Sequence, residues 1–396
     1  MIGEQLPPAW RRVKFGEVVR EVKQTTKDPQ ADGIERVVGL DHLDRESLPL
    51  RRWDELSDLP DGTSFTRIFK AGQVLFGKRR AYQRKVAVPD FDGMCSSDIL
   101  VFESSSPDLL PEFLPYLVQS DGFFDHALGT SAGSLSPRTK WQDLARHEFA
   151  LPPLDEQRSI VDLLDTTRVV NESLVVAHAA QEGLLQAALN EWKFASDLYP
   201  QAPLGAVVDL QPGRQRSPKY QSGTCPRPYL RAANLKLDRL DLTDVLEMDF
   251  SETELSRYEV RAGDVLLVEG GDADAVGAPA FVAEELPSRT CIQNTVIRAR
   301  VRPDRDLDAR FLYWQLRGCF RAREFERIAT GTKLYHLGLR KLTPFVIPLP
   351  PRDVQTRVVK RLDQVDAVRI RLAQTQANLR LMESSLREHL LSVAQP

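Results

Sequence analysis

The densest group of chemically active side chains in this sequence is a basic window between Thr66 and Val88 that contains no acidic residue. Its cations are Arg67, Lys70, Lys78, Arg79, Arg80, Arg84 and Lys85, and Tyr82 and Gln83 lie among them. Arginine and lysine neutralise phosphates, arginine forks onto guanine, and glutamine pairs with adenine through two hydrogen bonds. The window predicts a nucleic-acid contact surface at residues 78–85, although a solvated basic face would have the same composition.

A second basic window lies between Leu210 and Leu240, where Asp238 is the single acid. Its cations are Arg214, Arg216, Lys219, Arg227, Arg231, Lys236 and Arg239, and Asn234 adds an amide that can pair with adenine. The two windows do not align under the internal repeat described below. This favours two readers that share a scaffold and contact different base sequences.

Two glycine-containing loops do align with each other, at residues 133–140 and 331–336. Their polar and basic side chains include Ser134, Arg138, Lys140, Lys333, Tyr335 and His336. Loops of hydrogen-bonding residues on a rigid scaffold are good candidates for base or phosphate contact. A plain connection between elements is the alternative role.

The elements that must position these residues occur twice. Leu151–Gln157 (LPPLDEQ) returns 198 residues later as Leu349–Gln355 (LPPRDVQ), and a slightly smaller shift carries Lys70–Leu75 onto Arg261–Leu266. Repeats of solenoids and propellers are far shorter, about 20 to 50 residues, so this is a domain duplicated in tandem. Such a chain approximates a two-fold symmetric object, and two-fold symmetric proteins read two-part targets.

Each half begins with short β-rich runs bounded by Gly, Pro or Asp, such as Arg36–Leu40 and Val265–Val268. Shorter helical stretches follow, and each half ends in one long helix. The sequence predicts an α+β fold with two tandem domains, each with a curved, mainly antiparallel β-sheet. The predicted boundaries are 1–152 and 196–350 for the domains, and 153–195 and 351–396 for the long helices.

An apolar heptad repeat runs along each long helix. The second helix carries Val358, Val365, Leu372, Leu379, Leu386 and Val393, with Leu362, Val368, Met382 and Leu390 interleaved. The first carries Ile160, Leu163, Thr167, Val170, Leu174, Ala177, Gln181, Leu184 and Ala188. A sustained heptad seeks another helix. We expect the two helices to pair as an antiparallel coiled coil related by a pseudo-two-fold, rather than merely to pack on their own domains.

Composition indicates a soluble, cytosolic protein. The net charge is −3, so a basic surface must be local. No apolar run reaches the roughly 18 residues that a membrane span needs, and the start of the chain lacks the features of a signal peptide. Four cysteines lie far apart, which argues against a disulfide scaffold and against a zinc site.

Motifs for catalysis are absent from the sequence. There is no phosphate-binding G-x-x-x-x-G-K-[ST], no G-x-G-x-x-G, and no N/D-P-P-[FY] motif of the DNA amino-methylases. The six histidines have no metal-binding spacing. We expect no cofactor, no metal and no enzymatic activity in this chain.

At these motifs the chain resembles, over essentially its whole length, the DNA-specificity (S) subunits of type I restriction–modification enzymes. The start of the first long helix, Leu151–Ile160, resembles the family pattern P-L-P-P-x-x-E-Q-x-x-I, and the second copy places Val354 at the Glu position. Further stretches similar to the family are Gly72–Lys78, Arg84–Val88, Asp92–Asp98, Leu230–Leu235 and Gly263–Asp272. In the last of them, Gly270 and Gly271 are candidate DNA contacts.

The resemblance implies a non-catalytic reader of double-stranded DNA with a bipartite target, one part for each domain. Its partners would be two methylase subunits and two motor-nuclease subunits, which would carry out methylation, translocation and cleavage. The helices would set the gap between the two parts. Two alternatives remain at this point: the recognition module of a type II-like methylase and nuclease, and a coiled-coil scaffold that binds proteins.

Overall fold

The structure is a computed structural model that describes residues 9–59, 63–133, 136–217, 223–237, 239–284, 286 and 288–392. It divides into two compact units, one formed by Met1–Leu174 with Thr375–Pro396 and the other by Val175–Gln374. Among the described residues, no helix is long and apolar enough to cross a membrane. Within the same residues, no group of three or more His, Cys, Asp or Glu side chains could hold a metal ion.

The first unit combines short strands with short helices. Its strands are β1 (Arg11–Lys14), β2 (Val19–Val22), β3 (Arg36–Val38), β4 (Asp54–Glu55), β5 (Arg67–Phe69), β6 (Val74–Gly77), β7 (Val86–Ala87), β8 (Gly93–Cys95), β9 (Ile99–Ser104) and β10 (Glu148–Leu151). Its helices are α1 (Phe15–Val18), α2 (Leu114–Gln119), α3 (Asp121–Gly129), α4 (Trp141–Leu144) and the beginning of the long α5 (Leu154–Ser196). One sheet has the antiparallel order β2–β9–β6–β7, and a second has the order β4–β3–β8–β5 with β3 and β8 parallel.

The second unit repeats this scheme. Its strands are β11 (Gln201–Pro203), β12 (Val208–Pro212), β13 (Pro226–Leu230), β14 (Leu235–Lys236), β15 (Arg239–Leu240), β16 (Leu246–Asp249), β17 (Val265–Val268), β18 (Gly270–Gly271), β19 (Pro279–Phe281), β20 (Cys291–Ile292), β21 (Val296–Val301), β22 (Tyr335–His336) and β23 (Val346–Pro348). Its helices are α6 (Leu204–Val207), α7 (Glu252–Tyr258), α8 (Ala309–Arg321), α9 (Glu324–Ile328), α10 (Leu339–Leu342) and the long α11 (Arg352–Ser392). The main sheet, β12–β21–β17–β19, is antiparallel, and β13 pairs in parallel with β20.

Aromatic rings fill the core beneath the central strand of the first unit. Phe76 on β6, Phe102 on β9, Phe15 on α1 and Phe123 on α3 are buried, with ring centroids 4.8 to 5.7 Å apart. In the second unit, Leu267 on the equivalent strand β17 packs in the cluster that contains Trp314. These cores fix where β6 and β17 end, and therefore where the following residues leave the sheet.

A buried glutamine fastens each long helix to its unit. The Gln157 side chain accepts a hydrogen bond from the Leu110 N–H (2.9 Å) and donates to the carbonyls of Asp108 (2.7 Å) and Pro152 (2.8 Å). The Gln355 side chain makes the equivalent set of bonds in the second unit, with Asp308 N–H as donor and the carbonyls of Asp306 and Pro350 as acceptors.

In each long helix, an aspartate that follows the buried glutamine makes a second hydrogen bond to the unit. Asp165 accepts a hydrogen bond from the Tyr116 hydroxyl at 2.6 Å, and Asp363 accepts one from the Trp314 indole N–H at 2.8 Å. These pairs are related by the same shift of 198 residues. The duplication therefore preserves the contacts between helix and domain as well as the order of elements.

In the second unit α5 and α11 pack side by side and run in opposite directions. Gln181 donates to the carbonyl of Val365 (2.8 Å), while Glu191, further along α5, pairs with the earlier Arg361 on α11 (2.7 Å). This confirms the predicted antiparallel pairing. Helix α8 packs on the same seam through Arg317, which pairs with Asp366 at 3.2 Å with both side chains almost completely buried.

One row of the predicted heptad stripe on α11 is confirmed, and the interleaved row is partly wrong. Val358, Val365, Leu372 and Leu379 are half-buried and Leu362 is buried. Val368 and Met382 are exposed, and Arg369 and Glu383 occupy the corresponding inward positions. The inward positions are thus occupied by charged residues, and the apolar residue just before each of them points away from the partner helix. The side chains of Leu386 and Leu390, and all of Val393, lie outside the described residues.

The stripe on α5 follows the same rule. Ile160, Thr167 and Ala188 are buried, and Leu174, Ala177 and Gln181 are half-buried. Leu163, Val170 and Leu184 are exposed. Their inward neighbours are Leu164, Asn171 and Leu185, so the second row lies four residues after the first rather than three.

Candidate nucleic-acid interface

Two segments singled out from the sequence lie side by side at the end of strand β6. The Lys78 carbonyl accepts a hydrogen bond from the Thr139 N–H (3.1 Å), and the Arg80 N–H donates to the Pro137 carbonyl (2.8 Å). An isolated β-bridge pairs Arg79 with Arg138. The basic window and the loop that follows α3 therefore form one surface. We call Lys78–Arg80, Asp98 and Arg138 the first-unit junction.

Asp98 organises the cations of the first-unit junction. Its carboxylate accepts from Arg138 Nε at 2.9 Å and lies 3.4 Å from Arg79 Nη1, while Arg79 also donates to Ser136 Oγ (3.1 Å). Partial burial alone would raise the pKa of Asp98, but its bonds to Arg138 and Arg79 outweigh this and lower the pKa. The carboxylate stays ionised and holds both guanidinium groups in place.

Lys78 has a different environment within the junction. Partial burial, followed by the charge of Arg67, lowers the pKa of its ammonium group. Arg67 itself pairs with Glu21 at 2.9 Å on the neighbouring sheet.

Two further cations of the first basic window, Arg84 and Lys85, are engaged in contacts within the first unit. Arg84 pairs with Asp121 at 2.5 Å and lies 4.7 Å above the Phe124 ring, and Lys85 donates to the Leu40 carbonyl at 2.7 Å. Both cations make contacts within the unit.

Several predicted contact residues do face the surface. The exposed Tyr82 and the half-buried Gln83 lie on a 3-10 turn at Ala81–Gln83, directly after Arg80. Lys140 is exposed at the residue before α4. Ser134 lies outside the described residues.

The second unit builds the same junction at the end of β17. Gly270 pairs with His336 and Gly271 with Tyr335, so the glycine pair and the second loop meet as strands β18 and β22. The Leu337 N–H donates to the Glu269 carbonyl at 2.7 Å, which is the counterpart of the bond from Thr139 to Lys78. We call Glu269–Gly271, Thr295 and His336 the second-unit junction.

The two glycines allow close packing within the second-unit junction. A Cβ atom on Gly270 would lie 2.9 Å from His336 Nδ1, and one on Gly271 would lie 2.8 Å from Ala275 Cβ. The imidazole of His336 lies instead against the bare backbone, with Nδ1 3.4 Å from Glu269 Oε2.

The remaining predictions in the second unit also divide. Arg214 is buried, pairs with Glu254 at 2.8 Å and packs on Phe250. Asn234 is buried and donates from its amide to two backbone carbonyls (both 2.9 Å). Both residues make contacts within the unit. Arg216 and Lys333 are exposed and Tyr335 is half-buried; Lys219 and Asp238 lie outside the described residues.

Two acids, Asp98 and Glu269, were missed by sequence reasoning because only basic and amide residues were sought. The internal repeat holds the signal that could have found them. The Lys78 N–H donates to the Asp98 carbonyl (3.0 Å), and the Glu269 N–H donates to the Thr295 carbonyl (2.9 Å). Lys78 thus corresponds to Glu269, and Asp98 corresponds to Thr295. The carboxylate of the first-unit junction and that of the second-unit junction therefore occupy positions that are not equivalent.

Comparison with known proteins gives one consistent group of relatives. The EcoDI type I specificity subunit of Escherichia coli is 35% identical over 104 residues, 26% of this chain and 23% of that protein. The MjaVIII specificity subunit of Methanocaldococcus jannaschii is 19% identical over 92% of this chain and 88% of its own length. The EcoKI specificity subunit of Escherichia coli K12 is 22% identical over 64% of this chain and 58% of its own length. The match thus covers less than two thirds of the EcoDI and EcoKI proteins.

Solved structures agree with this group. A chain from a type I restriction–modification system, solved to explain complex assembly and conformational transition, is 24% identical with a TM-score of 0.61 and 98% coverage of both chains. The S subunit of a type I system from M. genitalium is 12% identical with a TM-score of 0.61, covering 99% of this chain and 98% of its own. At these identities the likeness establishes the fold. No protein-family model matches the chain. The curated relatives are all type I restriction–modification specificity subunits, and the solved structures share the duplicated fold, so this is the group of proteins that the chain is similar to.

Proposed function

We propose that this chain is the DNA-recognition subunit of a type I restriction–modification complex and that it reads a split double-stranded target. Each unit reads one part of the target through its junction and the loops around it. The chain acts in the cytoplasm and contributes recognition, while methylation, ATP-driven translocation and cleavage belong to its partners. Two methylase and two motor-nuclease subunits complete the assembly.

The observation that carries the proposal is the junction that is built twice with different side chains. The main-chain bonds are equivalent in the two units, while Lys78 and Arg79 of the first become Glu269 and Gly270 in the second. A conserved main-chain frame with exchanged side chains is what two readers of different sequences require, because base edges are distinguished by donor and acceptor pattern.

Adenine-methylation mapping tests the proposal. DNA from cells that carry this chain with the methylase of its own system is compared with DNA from cells that lack the chain alone. We expect a split motif, two specified parts separated by unspecified base pairs, that is present only when the chain is present. An unchanged methylation pattern would contradict the DNA-recognition function.

Binding at graded salt separates this function from a coiled-coil scaffold for proteins. Neutralisation of phosphates by lysine and arginine makes DNA affinity fall steeply as salt concentration rises. We expect such a slope for duplexes that contain the mapped motif. A scaffold that binds only proteins would show no salt-dependent affinity for these DNA duplexes.

A further inference from the structure

We propose that Glu269 is a specificity-determining residue that accepts a hydrogen bond from the exocyclic amino group of cytosine in the half-site read by the second unit. This inference rests on the proposed function and assigns a base to one of its two readers. Its support comes from comparison of the two junctions, which share their main-chain frame and differ in the placement of charge.

The carboxylates of the two junctions differ in how strongly they are neutralised. Asp98 lies among cations, with Arg138 at 2.9 Å and Arg79 at 3.4 Å, and its side chain is 18% exposed. Among the described residues, Glu269 has His336 as its hydrogen-bonding neighbour, at 3.4 Å, and its side chain is 25% exposed. The acid of the first-unit junction is thus engaged in positioning arginines, and the acid of the second-unit junction has capacity to accept from a ligand.

The location of Glu269, directly after a core strand and with its main chain held by hydrogen bonds, suits a residue that contacts a base. Glu269 is the residue at which the chain leaves β17, as Lys78 is where the chain leaves β6. Its backbone is fixed on both sides, because its N–H donates to the Thr295 carbonyl and its carbonyl accepts from Leu337. The next two positions are glycines and add no side chain of their own beside it, and the neighbouring side chain on this face is the imidazole of His336.

A carboxylate at a DNA surface repels phosphates, so it is tolerated there when it accepts from a base. Acidic side chains accept from the N4 amino group of cytosine in the major groove. Adenine also carries an amino group, but its N7 acceptor lies beside that group and repels a carboxylate. Guanine and thymine present acceptors at the corresponding edge. Cytosine is therefore the base that fits Glu269.

The test compares the methylation motifs of the unaltered chain and of Glu269→Gln, each with the methylase of its system. We expect one half-site of the parent motif to contain a cytosine that the variant no longer requires. A carboxamide pairs with adenine N6 and N7, so that position should broaden toward adenine. In competition binding with the full chain, discrimination between the C·G and A·T duplexes should fall by about 10- to 100-fold, as is typical of a lost specific base contact.

Two matched variants serve as controls. Glu269→Asp keeps the carboxylate and should keep the cytosine preference, and Lys78→Gln, at the equivalent position of the first unit, should alter only the other half-site. The unaltered half-site of each variant motif reports that the chain is folded.

Three results would overturn the inference: an unchanged motif for Glu269→Gln, an affected half-site without a C·G pair, or identical behaviour of the Gln and Asp variants. Absence of any split motif with the unaltered chain is a separate outcome. It would refute the proposed function, and the assignment of Glu269 with it.

Discussion

Gln157 and Gln355 hold equivalent main-chain atoms in their two units, through side chains that are completely buried. The preceding motif position differs between the copies, with Glu156 in the first and Val354 in the second. Glu156 is exposed and accepts from the Trp10 indole at 2.6 Å, whereas Val354 packs against the core. The glutamine is therefore the shared structural element at the start of both long helices.

Replacement of Gln157 by Leu should destabilise the first unit by about 3 kcal/mol, because buried main-chain groups lose their partners. The measurement is urea unfolding of the full chain, followed by fluorescence. Glu156→Val, which copies the second half, is the matched control and should change stability by less than about 1 kcal/mol. Equal effects of the two substitutions would show that the buried bonds contribute little.

Removal of Asp366 should weaken the second unit strongly. Its carboxylate pairs with Arg317 at 3.2 Å and with Arg369 at 2.7 Å, and all three side chains are buried. Asp366→Ala leaves these guanidinium groups without it, which should cost about 3 to 5 kcal/mol of unfolding free energy. The double change Asp366→Leu with Arg317→Met should recover much of that loss.

An exposed ion pair on the same helix provides the comparison for this prediction. Arg357 and Asp353 are four residues apart at 2.8 Å, and both side chains are largely exposed. Arg357→Ala should change stability by about 0.5 kcal/mol or less. A similar effect of Asp366→Ala would mean that burial adds nothing to the pair.

Asp98→Asn should lower the sequence specificity of the first unit and raise its affinity for DNA that lacks the target sequence. The substitution removes a negative charge from the surface and loosens the hold on Arg79 and Arg138. Competition binding at fixed salt should show the ratio of specific to unspecific affinity reduced about tenfold. Asp92→Asn, which affects a pair with Lys70 away from the junction, should leave that ratio unchanged. A higher ratio for Asp98→Asn would contradict the positioning role.

Acid should destabilise the first unit through His147. Burial, with a smaller contribution from the charge of His126, lowers the pKa of His147 to about 4. Since the unfolded chain takes up this proton near pH 6.5, stability should fall as pH drops from about 6.5 to 4, by up to about 3 kcal/mol. Unfolding measured across this range should show a shallower decline for His147→Gln than for the parent. Parallel curves would refute the assignment.

The sequence was sufficient for the elements that periodicity and repetition encode. The strand Val265–Val268 has the predicted bounds, and the long helices pair in the predicted direction. Hydropathy misplaced Val368 and Met382 because the seam uses Arg369 and Glu383 at the inward positions. A charged residue in a helix seam looks like a surface residue until its partners on neighbouring elements are known.

Some of the residues that the sequence singles out as DNA contacts lie together in the structure, and others serve the fold. Residues 78–80 lie beside Arg138, and Gly270 and Gly271 pair with His336 and Tyr335, although the sequence analysis treated these segments as separate candidates. Arg84, Arg214 and Asn234 have the composition of base-contacting residues but are occupied inside the fold. Composition cannot separate these two uses, because a guanidinium binds a carboxylate of its own chain by the same geometry that it offers to a phosphate or base.

The glutamine attachments affect how this protein can change. The Gln157 and Gln355 side chains bind main-chain carbonyls, which every residue provides, and main-chain N–H groups, which every residue except proline provides. A domain that kept its backbone course could therefore exchange its surface side chains without loosening from its helix. Substitutions can thus change the surface side chains of each unit independently, while the hydrogen bonds that attach the unit to its long helix are retained.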